Sequence, residues 1–207
     1  MHRRRFLQLS LAAGLAASLP GCGRGDPLRV GIHPWIGYEP LYLAEEFGWL
    51  PDTVQLVKGT AARDSMSGLL SGQLDAAAVS LFDSRELPDT IFDVLAVTHR
   101  AEGRQPGPIK DLVAGHFAGY RYLVRNLHDA VYRIATRQGM APELIRQALA
   151  TVMLPDLAAN QRYLAKNGTI ETTAIRLAGL LEREGLMDKH PEHERIASQQ
   201  FLPRRAE

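Results

Sequence analysis

Residues 28–80 alternate between short apolar runs and helix-like segments, and this rhythm restricts the fold more than any other property of the chain. Residues 28–32 (LRVGI) meet a turn cluster, His33-Pro34-Trp35-Ile36-Gly37, and a helix-like segment over 38–47 that stops at Gly48. Residues 53–58 (TVQLVK) predict a second strand and 59–61 (GTA) a loop. Residues 63–70 predict a second helix, with Met66, Leu69 and Leu70 on one side and Gly72 as its stop. The run 74–79 (LDAAAV) predicts a third strand, whose small residues suit a central position crowded by helices on both faces. Strands and helices in alternation predict βαβ units and a parallel sheet.

The rhythm breaks after Ser80. Residues 91–97 (IFDVLAV) predict a fourth strand from their β-branched and aromatic content. No helix of useful length separates it from the third. Two parallel strands need a crossover of about a dozen residues. Residues 80–90 can supply only a short, irregular one, and an antiparallel return is the easier connection. Residues 101–108 predict a Gly/Pro-rich loop. A long amphipathic helix follows over 109–127, then one around Ala130 to Ala135 ended by Gly139. Pro142 and Pro155 each open another, and a last helix runs from Ile170 to Leu181 and stops at Gly185. The expected fold class is α/β, a parallel-type sheet of about four strands with a helical C-terminal half.

The N-terminus has the layout of an export signal over 1–21: Arg3, Arg4 and Arg5, an apolar stretch from Phe6 to Leu19 too short to span a bilayer as a helix, and small Gly21 before Cys22. Residues 22–27 read as a tether, and 28–207 as one lobe. The formal charge of +1 comes without a basic stripe, which argues against nucleic acid as a partner. Nucleophile elbow, P-loop and paired-cysteine motifs are absent from the sequence, and no cofactor is expected. His190 and His193 have a spacing for a metal pair but sit in a polar tail, and no metal site is expected. Asp83, Arg85, Glu86 and Asp89 read as a charged turn. His116 falls on the apolar face of its helix, the position of a packed histidine.

The loops after strands one, two and three gather at the carboxyl edge of a parallel sheet, where open α/β folds place ligands. Trp35, Gly37, Tyr38, Thr60, Ala61 and Ser80 are the candidate ligand-binding residues there. Trp35 would stack on a ring, Tyr38 and Thr60 would hydrogen-bond, and the helix N-termini would favour negative charge. Such an edge suits a small anion or a small polar organic ligand. The plainer reading is that Trp35 and Tyr38 merely cover the sheet end.

Three resemblances attach to these residues. Leu19-Pro20-Gly21-Cys22 resembles a bacterial lipoprotein signal, which implies lipidation at Cys22, a membrane anchor and an exported location on the periplasmic or outer cell-surface side. Arg3-Arg4-Arg5-Phe6-Leu7 also resembles a twin-arginine signal. The loop around Pro34-Trp35 with Gly37-Tyr38-Glu39-Pro40, followed by Leu69-Leu70-Ser71-Gly72-Gln73-Leu74-Asp75-Ala76-Ala77, resembles the opening lobe of periplasmic substrate-binding proteins, in the subgroup of nitrate, sulfonate, taurine and thiamine-precursor ABC importers. That resemblance implies a two-lobed binding fold, a small-molecule ligand and an ABC permease as partner, without catalysis. The chain departs from it between about 79 and 82, where a second lobe of roughly 100 residues, an ordinary domain size, is expected and missing. Its absence would weaken binding and leave a face on which a second copy could pack. Two alternatives follow. One is a degenerate, ligand-free interaction module. The other is an enzyme like the thiamine-pyrimidine synthases of the same superfold. Their cysteine-rich motif has no counterpart in a chain whose single cysteine is Cys22.

Overall fold

Strand β1 (Leu28–Ile32) is the centre of the molecule. Leu28, Val30 and Ile32 are fully buried on one face, while Arg29 and Gly31 turn to the other. The computed structural model describes residues 25–80, 92–185, 187 and 196–204. The expected export signal 1–21, Cys22, the charged-turn residues Asp83 to Asp89, and His190 with His193 lie outside the described residues. β1 pairs in parallel with β2 (Val54–Lys58), Leu28 against Val54, and with β3 (Ala76–Ser80), Val30 against Ala76. β4 (Asp93–Val97) returns antiparallel beside β3, with Ala76 against Val97 and Ser80 against Asp93. The sheet order is β2-β1-β3-β4. Three parallel strands and one antiparallel edge strand match the α/β expectation, and the easier connection into β4 is the one adopted.

Both faces carry helices. Over one lies α1 (Glu39–Glu46), whose Leu41 and Tyr42 pack on Leu28, Val30 and Ile32. α1 is backed in turn by α4 (Pro106–Arg125), which brings Ile109 and Leu112 into the same core. Glycine permits this: a Cβ on Gly119 would stand 1.8 Å from the Pro40 carbonyl oxygen. The opposite face carries α2 (Ala62–Leu70). The helix forms where expected, but the side carrying Met66 and Leu70 is not the one that packs on the sheet. Ser65 and Gly68 are buried, whereas Met66 is 38% and Leu70 80% exposed. The helix approaches β1 through its smallest residues, since a Cβ on Gly31 would lie 3.2 Å from Ser65 Cα and 2.5 Å from Leu74 Cδ1. Leu74 fills the space the glycines leave. Asp75 accepts the Arg29 backbone N–H at 3.0 Å and its Nε–H at 3.1 Å. The Leu-Asp-Ala-Ala run is thus a wedge, a clamp on β1 and two small residues for a crowded central strand.

The expected loop over 101–108 is helical instead. Thr98 Oγ1 accepts the Ala101 N–H and starts α3 (His99–Arg104), and Pro106 occupies the first turn of α4. The long helix ends earlier than its apolar spacing predicts. Asn126 interrupts it, and Leu127 begins α5 (Leu127–Gln138), which Gly139 closes in the left-handed region at φ 64. α6 (Pro142–Thr151) packs Ile145 against Val131 and Ile134 of α5 and Leu43 of α1. Asp156, rather than Pro155, caps α7 (Leu157–Tyr163). α8 (Thr169–Arg183) completes the helical half. No helix among the described residues is long and apolar enough to cross a membrane.

Candidate functional site

The carboxyl ends of β1, β2 and β3 lie side by side, and because β4 is antiparallel its first residue, Asp93, reaches the same edge opposite Ser80. The chain leaves β1 through His33 and bends through Trp35, which is extended (φ −152, ψ 135), into a 3-10 turn over Ile36–Tyr38. That turn is closed by the Tyr38 N–H on the Trp35 carbonyl at 3.0 Å. Trp35 is left 42% exposed, and its Nε1–H donates to Asp93 Oδ2 at 2.7 Å. Gly37 makes room for this contact, since a Cβ there would stand 2.8 Å from Trp35 Nε1 and 3.3 Å from Asp93 Oδ2. Trp35, Gly37 and Asp93 therefore form one unit across the edge.

Tyr38 is placed differently. It is 5% exposed, packs within the core over β1 and meets His33 edge-on at 5.1 Å. It is part of the floor beneath the edge, not of its open rim. His33 is 8% exposed, and its Nδ1 has no hydrogen-bond partner among the described residues. Burial holds the imidazole below its usual range, with the carboxylates of Asp93 and Asp64 pulling the other way.

Thr60 and Ala61 join the edge through a third residue. Asp64, at the third position of α2, folds back so that Oδ2 accepts the Thr60 N–H at 2.8 Å, the Thr60 hydroxyl at 2.7 Å and the Ala61 N–H at 3.0 Å. These bonds, the Thr60 hydroxyl foremost, hold its carboxyl below the usual carboxylate range. The donors at this helix N-terminus thus already hold a carboxylate supplied by the chain. Of Ser80, the backbone pairing with Asp93 is what the structure gives.

Three residues of this edge were not among the sequence candidates. Asp64 carried a signal, an acid three positions after a loop residue that opens a helix. His33 stood in the turn cluster without an assigned role. Asp93 carried none, because only the antiparallel pairing of β4 brings it beside Trp35. Elsewhere, two open clefts of about 570 and 610 Å³ lie away from this edge, one along α4 beside Trp49 and Tyr122, the other between α3 and Phe201. Among the described residues no group of three or more His, Cys, Asp or Glu side chains is placed to hold a metal ion. His116 lies on α4, and burial brings its imidazole down to about 4.

No protein-family model and no curated protein matches the chain. Solved structures do. The Candida albicans CA3427 gene product, described as defining a new family with the generic periplasmic binding protein fold, aligns with a TM-score of 0.60 at 11% identity over 81% of this chain and 93% of its own. The alkanesulfonate-binding protein SsuA of Xanthomonas axonopodis pv. citri, solved with MOPS bound, aligns at 0.39 and 15% identity over 80% of this chain and 60% of its own. The first likeness shows the fold: the four-stranded sheet with helices on both faces is of the periplasmic binding protein kind.

Proposed function

We propose that this chain is a solute-binding protein of an ABC import system, exported and held to the membrane by lipid on Cys22, which takes a small polar ligand at the carboxyl edge of its sheet and passes it to a permease. The observation that carries the reading is the exposed Trp35 ring, fixed by its 2.7 Å bond to Asp93 across the strand ends of a binding-protein fold. An indole held rigid by its own N–H offers a flat face at no further ordering cost, a useful property in a site that opens to solvent. The activity is binding alone, without a chemical step. With one lobe supplying the site, less of the ligand is buried than the 70–90% usual in enclosed pockets, so affinity is low beside that of a two-lobed clamp.

Calorimetric titration of the purified chain with nitrate, taurine, an alkanesulfonate and an aminopyrimidine tests this. Saturable heat with at least one, lost on Trp35→Ala, is expected. Silence across the whole set removes the ligand-binding reading.

The exposed apolar residues of α2, Leu70 at 80% and Met66 at 38%, favour a second reading, an interaction module that docks a partner or a second copy without ligand. A sizing column separates the two. Concentration-dependent dimerisation abolished by Leu70→Glu supports the module, and a monomer stabilised by ligand supports the binder.

A further inference from the structure

We propose that the cleft along α4 is a second binding site, made for a flat aromatic anion, a ring that carries a carboxylate, sulfonate or phosphate. The proposal does not rest on the strand-end reading and shares no residue with that edge. The cleft, of about 570 Å³, falls within the size range of small-molecule sites. Its aromatic wall is set by the way α1 ends. Gly48 takes the left-handed region at φ 68, and the Trp49 N–H then bonds the Ala44 carbonyl at 2.8 Å. Phe47 stacks on the Trp49 ring at 4.8 Å, and Tyr122 meets that ring edge-on at 5.9 Å. Tyr122 is fixed in turn by its hydroxyl, which donates to Asp129. Trp49 is nonetheless 40% exposed and lines the cleft. Ala114 and Ala118 line it too, with methyl groups where a larger side chain would fill the space.

The charges select an anion. Arg121 and Arg125 stand four residues apart on α4, and both line the cleft. Residues so spaced lie about 5–6 Å apart at Cβ, close enough to share one oxyanion. Neither has an ion-pair or hydrogen-bond partner among the described residues. The arginines of α5 differ: Arg133 holds Asp129 and Glu46, and Arg137 holds Glu39 and Glu46. Asp129 is thus taken up by Tyr122 and Arg133. A cation in the last turn suits a helix C-terminus, which accounts for Arg125 but not for Arg121 a turn earlier. Two like charges at this spacing repel and weaken a helix, and an anion between them removes the repulsion. Guanidinium forks bond carboxylate and phosphate oxygens in pairs. A neutral ring would use the Trp49 wall alone, and a small inorganic anion the arginines alone. A ring that bears the charge uses both.

Calorimetric titration of the full chain with naphthalene-2-sulfonate, its neutral analogue naphthalene-2-sulfonamide, and methanesulfonate, at constant ionic strength, tests the proposal. The naphthalenesulfonate is expected to bind about tenfold or more tightly than the sulfonamide, the scale of a charge-assisted hydrogen bond, and more tightly than the ringless methanesulfonate. Arg121→Gln and Arg125→Gln, which keep polar donors but remove the charge, should each weaken it several-fold with the circular dichroism spectrum unchanged. Ala114→Phe, which puts a ring into the cleft and leaves both guanidinium groups, should abolish it. Equal binding of sulfonate and sulfonamide overturns the proposal, as does equal binding of the naphthalenesulfonate and methanesulfonate. Failure of all three probes to bind overturns it too. Naphthalenesulfonate binding that survives both arginine changes and is lost on Trp35→Ala belongs to the strand-end edge. That outcome overturns the cleft and leaves the ligand-binding reading standing.

Discussion

Glu39 and Asp64 are both carboxylates at the start of a helix that follows a strand, and the fold treats them in opposite ways. Glu39 opens α1 at 1% exposure, bonded to Arg137 and Gln138 of α5, with Glu46 sharing Arg137 at 2.9 Å. Asp64 stands at the open edge, its side chain 40% exposed and bonded to the loop it follows. Burial pushes the Glu39 carboxyl above its usual range against the pull of Arg137 and Gln138, while hydrogen bonds hold Asp64 below its own. One carboxylate fastens the helical half to the sheet half. The other shapes a surface. Depth in the fold separates an architectural acid from one at the open strand-end edge.

Removing the partner of the buried acid should give the largest effect. Arg137→Ala leaves buried Glu39 without its cation and with Gln138 as a remaining partner, and unfolding in denaturant should show about 3–5 kcal/mol lost, less where the carboxyl takes up a proton. A loss near that of a surface pair, below about 1 kcal/mol, would erase the distinction. Gly119→Ala tests the same inner region by packing. The new Cβ meets the Pro40 carbonyl oxygen, a backbone atom next to Glu39 that cannot swing aside. Overpacking of this kind costs about 1–3 kcal/mol, and the unfolding midpoint should fall without a change in denaturant slope.

The sequence shows the edge more readily than the anchor. β1, β2, the start of β3 and the strand-end loops follow local alternation, so Trp35, Gly37 and Thr60 fall on the edge where parallel topology puts them. The Glu39–Arg137 pair joins residues 98 apart, and neither local period nor propensity carries that distance. Asp93 was hidden for the same reason. α2 misled in a different way. Its Met and Leu residues look like a core face, but Gly31, Ser65 and Gly68 let the helix sit so close that the small side became the inner one. Gly103 and Pro106 give residues 101–108 the composition of a loop, while the Thr98 cap starts a helix there.

pH separates the two acids by the sign of their slopes. The Glu39 carboxyl is raised, so the native state holds its proton more firmly, and stability falls as pH rises from the ordinary value of 4.5 through the higher folded value. The Asp64 carboxyl is depressed, so its contribution is full above 3.8 and is lost as pH falls through the lower folded value. Denaturation measured across pH should show Glu39→Gln flattening the fall above 4.5 and Asp64→Asn flattening the loss below 3.8. Slopes of one sign for both would mean that burial does not distinguish them.

The smallest effect on stability belongs to Asp93→Asn, and its smallness is the point. Asp93 is exposed at the first residue of an edge strand, and an asparagine carbonyl there can still accept the Trp35 Nε1–H. Surface changes that keep their contacts stay within about 0.5 kcal/mol. Trp35 emission should hold its wavelength in this variant and shift in Asp93→Ala, where the indole loses its acceptor and the ring is freed. The same Asp→Ala change leaves the Glu39 anchor in place, because Glu39 is held by Arg137 and Gln138 of α5. If Asp93→Ala instead destabilises the chain as much as Arg137→Ala does, the edge is an architectural joint like the one behind α1, and Trp35 covers the sheet end instead of facing a ligand.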